Sequence, residues 1–120
     1  MSKKNRKICV VINNRANYAR IKYFLKAAQK ISKIELSIIL GASANLERYG
    51  ELSQTLKKDG FNPKYKISTI VEGENPISMA KSTGLSIIEL SSIFEKIKPD
   101  IVLTVADRFE TLATAIAASY

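Results

Sequence analysis

The sequence predicts an α/β fold, a parallel sheet with helices on both faces. Short β-branched apolar runs alternate with longer stretches of helical periodicity, four times over within 120 residues. The strand-like runs are apolar at consecutive positions, the pattern of strands covered on both faces rather than on one. No linker, internal repeat or low-complexity stretch separates the units. Four β-α units in succession call for right-handed crossovers and hence parallel strands.

The first strand is "KICVVI" (7–12). From Tyr18 to Ser32, apolar residues at Ile21, Phe24, Leu25, Ala28 and Ile31 fall at helical spacing. "IELSIIL" (34–40) is the second strand, ended by Gly41. A second helix places Leu46, Tyr49, Leu52 and Leu56 on one face and stops at Asp59-Gly60. "KYKIST" (64–69) is a weaker third strand, and "VEGENPISM" (71–79) reads as a loop. The third helix runs to about Lys98, with Ile87, Leu90, Phe94 and Ile97 as its buried stripe. Pro99-Asp100 break it, "IVLTV" (101–105) is the fourth strand, and an alanine-rich fourth helix begins at about Thr111. The result is a Rossmann-like domain. In such sheets ligands bind outside the carboxyl ends of the strands, which singles out loops 13–18, 41–46, 69–78 and 106–110.

Composition excludes several functions. A hydrophobic fraction of 46% with 25% charged residues is ordinary for a soluble globular chain. The apolar runs are too short to cross a bilayer, and the basic N-terminus lacks the long apolar segment of a signal peptide, so a cytoplasmic protein is expected. Cys9, the only cysteine, lies in the first apolar run and reads as a core thiol. Histidine is absent, which leaves acid/base work to carboxylates, lysines and tyrosines. No pair of acids has metal-ligand spacing with a third ligand nearby, so neither a metal nor a cofactor is expected. The net charge of +8 suits a phosphate-bearing ligand, but no nucleic-acid-binding motif accompanies it.

Two loops can carry chemistry. The first, "NNRANY" (13–18), has no glycine, so the dinucleotide fingerprint and the P-loop are both absent. It offers Arg15 at the start of a helix, where free N–H groups and the dipole favour an anion. Arg15 is either that anion's partner or a surface arginine, with Asn13 or Asn14 as the helix cap. The second, "ADRFE" (106–110), holds Asp107, Arg108 and Glu110 just past the fourth strand. Asp107 is placed either for general acid/base work or for a capping box with Glu110. Glu72 and Glu74, in the loop of Gly73 and Pro76, read most simply as solvated residues.

Three stretches together, "NNRANY", "TIVEGENPISMAKSTGLSII" (69–88) and "KPDIVLTVADRFETLATAIAAS" (98–119), resemble the UDP-N-acetylglucosamine 2-epimerase family. The likeness is greatest to its hydrolysing, sialic-acid-pathway branch. The resemblance implies a glycosyltransferase-B-like architecture of two Rossmann-like domains with the nucleotide-sugar between them. Residues 1–120 would then be an incomplete portion of the N-terminal domain, inactive alone, of an enzyme that is commonly a homodimer. It further implies UDP-GlcNAc as substrate, with Asp107 and Arg108 catalytic and Arg15, Asn14, Ala16 and Glu110 in contact with substrate. Asn17, Val105 and Ala106 depart from the family pattern. Three alternatives stay open: a GDP-sugar 2-epimerase, another glycosyltransferase-B-type enzyme, and a non-enzymatic nucleotide-binding module.

Overall fold

The computed structural model describes residues 5–41, 52–67, 75–105 and 110–120, with the side chains of Glu110 and Thr111 outside that description. The elements follow the expected alternation: β1 (Arg6–Ile12), α1 (Arg15–Gln29), β2 (Ile34–Leu40), α2 (Leu52–Lys58), β3 (Tyr65–Lys66), α3 (Pro76–Ile97), β4 (Ile101–Thr104) and α4 (Glu110–Ser119). The four strands form one parallel sheet in the order β3-β2-β1-β4. The chain builds outward from β1 through β2 to β3, then crosses back to place β4 on the other side of β1. A topological switch point therefore lies between β1 and β4, the position where open α/β sheets bind ligands.

Alternation along β1 explains why the whole run is apolar. Ile8, Val10 and Ile12 face one layer, with Tyr18, Ile21 and Leu25 of α1 and Leu52 and Leu56 of α2. Cys9 and Val11 face the other, with Leu90, Ile93 and Ile97 of α3 and Ala117 of α4. Cys9 is fully buried, and burial pushes its thiol up to about 12, so it is the expected unreactive core residue. Among the described residues no helix is long and apolar enough to cross a membrane.

Several boundaries and faces differ from expectation. Helix α1 starts three residues before Tyr18, because Asn14 caps it, and ends at Gln29 rather than Ser32. Its buried face is Asn17, Tyr18, Ile21, Leu25 and Ala28, while Phe24 and Ile31 are largely exposed. Helix α3 starts at Pro76, inside the expected 71–79 loop, because Asn75 caps it and proline suits the first helical turn. Its buried face is Ser78, Ser82, Ser86, Leu90, Ile93 and Ile97; Ile87 and Phe94 are only partly covered. The serines are buried because α3 packs along α4, where small residues let two helices approach. Strand β3 is two residues long, β4 ends one residue before Val105, and α4 starts at Glu110. Leu46, Tyr49, Ser68 and Thr69 lie outside the described residues.

Candidate functional site

The carboxyl ends of the strands lie at one edge of the sheet. Ile12, the last residue of β1, is registered with Leu40 of β2, which is registered with Lys66 of β3. Val11 is registered with Thr104, the last residue of β4. The ladder runs slightly beyond the strands: Gly41 donates its N–H to the Ile12 carbonyl at 3.0 Å, and Ile67 donates to the Leu40 carbonyl at 2.8 Å. Gly41 sits where a side chain would crowd its neighbours. A Cβ there would lie 3.0 Å from Asn13 Oδ1 and 3.3 Å from Ile67 Cγ1, so glycine lets the first turn settle onto β2.

That first turn is closed by its own side chains. Asn14 takes extended backbone at the helix N-cap, and its Oδ1 accepts the backbone N–H of Asn17 at 2.8 Å. Asn17, three positions on, accepts the backbone N–H of Asn13 on its own Oδ1 at 3.1 Å. The pair resembles a capping box, but with the shorter asparagine where glutamate or glutamine usually stands, and with its oxygen on the N–H one residue before the cap. Asn13 and Asn17 are buried, at 5% and 1% exposure, whereas Arg15 and Ala16 are exposed and Asn14 is half-buried. The turn is thus rigid where it meets the sheet and open where it meets solvent. Arg15 occupies the first helical position, and the first turn of α1 contains no acidic residue. An anion approaching this terminus meets both the helix dipole and a guanidinium.

Tyr18 braces the same turn from below. Its hydroxyl donates to Asp59 Oδ2 at 2.5 Å, and its ring meets Phe61 edge-on with centroids 6.4 Å apart. Lys22 reaches Asp59 Oδ2 at 3.3 Å. The Tyr18 hydroxyl, with Lys22 and Lys26 adding to it, holds the Asp59 carboxyl below the usual carboxylate range. Burial first, and the Asp59 partner second, push the Tyr18 hydroxyl well above its ordinary value. Tyr18 is therefore a neutral structural donor here, not a proton carrier near neutral pH.

Of the residues expected at the site, the structure brings Asn14, Arg15 and Ala16 together on the first turn of α1. Asp107 and Arg108, with Ala106, lie outside the described residues, as do Glu72, Gly73 and Glu74. The backbone of Glu110 opens α4, but its side chain is outside the description. Val105, partly buried, packs against the same core layer as α1. Two contributors were not singled out from the sequence as parts of the turn. Asn17 was detectable from the Asn14-x-x-Asn17 spacing, and Gly41 from its place directly after β2. A cavity of about 300 Å³ lies elsewhere, between α1, β2 and the segment after α2, lined by Gln29, Ile34, Leu36, Ile38, Gly60, Phe61 and Asn62. It holds none of the expected site residues. Among the described residues, no three His, Cys, Asp or Glu side chains cluster to hold a metal ion.

Known proteins are similar to this chain in sequence and fold. The chain is 34% identical over 113 residues to a hydrolysing UDP-N,N'-diacetylbacillosamine 2-epimerase of Legionella pneumophila, covering 94% of this chain and 30% of that protein. It is 31% identical to a hydrolysing GDP/UDP-N,N'-diacetylbacillosamine 2-epimerase of Campylobacter jejuni, covering 92% of this chain and 28% of that one. A solved UDP-GlcNAc 2-epimerase of Methanocaldococcus jannaschii, in complex with UDP-GlcNAc and UDP, superposes with a TM-score of 0.77 at 25% identity, over 94% of this chain and 29% of that structure. The chain thus spans under a third of the length of these relatives. The model of the UDP-N-acetylglucosamine 2-epimerase family matches residues 26–120, and the chain belongs to that family.

Proposed function

We propose that this chain is the first part of the N-terminal domain of a hydrolysing 2-epimerase that converts UDP-GlcNAc to N-acetylmannosamine and UDP. The observation that carries the reading is the turn after β1: a rigid, acid-free helix N-terminus that presents Arg15 at the switch point of the sheet. In a family whose members act on nucleotide-sugars, that turn is suited to the diphosphate. Arg15 contributes the guanidinium, and Asn14 and Ala16 flank it. Asp107, three residues past β4 in the sequence, serves in proton transfer, with Arg108 orienting it or the sugar and Glu110 contacting substrate.

The chemistry balances as an elimination followed by a hydration. A base removes the C2 proton, the C2–H electron pair forms the C1–C2 double bond, and UDP departs with the C1–O pair. Water then adds its hydroxyl to C1, and a proton returns to the opposite face of C2. Both halves need a placed acid or base, and the first needs cationic stabilisation of the leaving diphosphate. The enzyme is read as a cytoplasmic homodimer supplying sialic or related nonulosonic acid synthesis.

A second reading concerns the sugar. The relatives at 34% and 31% identity are named for N,N'-diacetylbacillosamine, against 26% for a UDP-GlcNAc 2-epimerase of Neisseria meningitidis. That favours a 2,4-diacetamido sugar, on which the same C1–C2 chemistry operates. The test is to incubate the full-length protein separately with UDP-GlcNAc and with UDP- and GDP-N,N'-diacetylbacillosamine and to assay nucleotide and free sugar. Release of nucleotide with the free 2-epimer supports the proposal, and the faster substrate identifies the sugar. Turnover only when an acceptor sugar is added, or none at all, would overturn it.

A further inference from the structure

Asn17 is the most buried polar residue of the described part of the site, and it bears no charge. A buried amide is tolerated when it is hydrogen-bonded, and its bonds show what it does. The Asn17 side chain accepts the N–H of Asn13, the first residue past β1, at 3.1 Å. Its backbone N–H is held by Asn14 at 2.8 Å, and Tyr18 N–H reaches the Asn14 carbonyl at 3.2 Å. These bonds bracket Arg15, so the path from β1 to Arg15 is fixed from both sides. Gly41 closes the remaining direction, since Asn13 Oδ1 lies 3.0 Å from where its Cβ would be.

We propose that Asn17 is a positioning residue for Arg15, acting through the side-chain oxygen that holds the Asn13 N–H. This rests on the reading of Arg15 as the diphosphate contact. An amide does not exchange a proton near neutral pH, so the contribution of Asn17 is geometric. A carboxylate of the same shape supplies the same acceptor, whereas an apolar residue of similar volume does not. A small displacement of a substrate-holding group is enough to weaken its grip by one to two powers of ten.

The experiment uses the full-length protein, with UDP binding by calorimetry and steady-state kinetics on the nucleotide-sugar it turns over. Asn17→Asp keeps both the fold and UDP affinity, within about threefold of the parent. Asn17→Leu and Asn17→Ala raise the Kd for UDP and the KM by about tenfold or more, with kcat changed much less. Combined with Arg15→Ala, the Asn17→Ala loss nearly vanishes, because there is no longer a guanidinium to position. Tenfold weaker binding in Asn17→Asp, or Asn17→Ala and Arg15→Ala losses that simply add, would overturn the proposal. Arg15→Ala with unchanged UDP affinity would instead overturn the functional reading beneath it. Because Asn17→Asp preserves shape and hydrogen bond, the test holds even if the apolar variants fold poorly.

Discussion

The two sides of the switch point are built differently. On the β1 side, the strand is buried on both faces and the turn after it is closed by reciprocal side-chain bonds among Asn13, Asn14 and Asn17. On the β4 side, the strand is four residues long, Ile101 is half exposed, and the next three residues are only partly covered. Thr104 Oγ1 is buried there without a hydrogen-bond partner among the described residues. The lesson is that the proposed diphosphate side is set by local sequence. The proposed acid, three residues past β4, depends on a strand held among the described residues by β1 alone. Binding and chemistry should therefore respond separately to change.

The sharpest way to break that division is to alter each side in the full-length protein. Asp107→Asn is expected to lower kcat by about 10²–10⁴, the usual contribution of a placed acid or base, with UDP affinity nearly unchanged. Arg15→Ala should do the reverse, weakening UDP binding while sparing kcat. If Asp107→Asn were as active as the parent, Asp107 would be a helix cap and nothing more.

Gly41 tests how closely the first turn is fitted to β2. A methyl group at 3.0 Å from Asn13 Oδ1 and 3.3 Å from Ile67 Cγ1 forces one of them to move. Gly41→Ala should destabilise by about 1–3 kcal/mol in denaturant unfolding, and should weaken UDP binding as well. Unchanged stability would mean the turn has slack. Two glycines away from the site provide the contrast. Gly60 has φ +92, so Gly60→Ala should cost about 1 kcal/mol with no effect on UDP affinity. Gly84 lies within α3 with open space around a built Cβ, so Gly84→Ala should stabilise by about 0.5–1 kcal/mol.

The smallest effect concerns Asp59 beneath the turn. Its carboxyl is held below the ordinary 3.8, so its contribution is present above the unfolded value and is lost as pH falls through the lower folded value. Thermal unfolding of Asp59→Asn against the parent should show the parent more stable near neutrality and the gap closing below about pH 4. A gap independent of pH would assign the effect to packing rather than charge.

Much of this was legible in the sequence, and the failures share a cause. The strands and their order of appearance followed from apolar runs, and Cys9 from its place within one. The register of the helices did not follow as well, because their buried faces include polar residues that apolar spacing does not mark. Helix α1 buries Asn17 and exposes Phe24, since a capped first turn must tuck its polar side chain under the strand end. Helix α3 buries Ser78, Ser82 and Ser86, since packing along α4 favours small side chains over large ones. The start of α3 is written in Asn75-Pro76, a cap followed by a first-turn proline, but proline marks loops as well as helix starts. Near the proposed site, the place of Arg15 at the start of α1 is legible from its position after β1. Asn17 is marked in the sequence only by its spacing from Asn14; its bond to the Asn13 N–H is visible only once the chain has turned back.

The most direct test of the account is where the hydrogen at C2 comes from. With UDP-GlcNAc, or with its diacetylated counterpart if that is the sugar used, the full-length protein is allowed to turn over in D₂O and the released sugar is examined by NMR. Removal of the C2 proton by a base at the β4 edge predicts deuterium at C2 of the free 2-epimer, together with free UDP. A released sugar that keeps its original hydrogen at C2, or nucleotide release without inversion there, would contradict it.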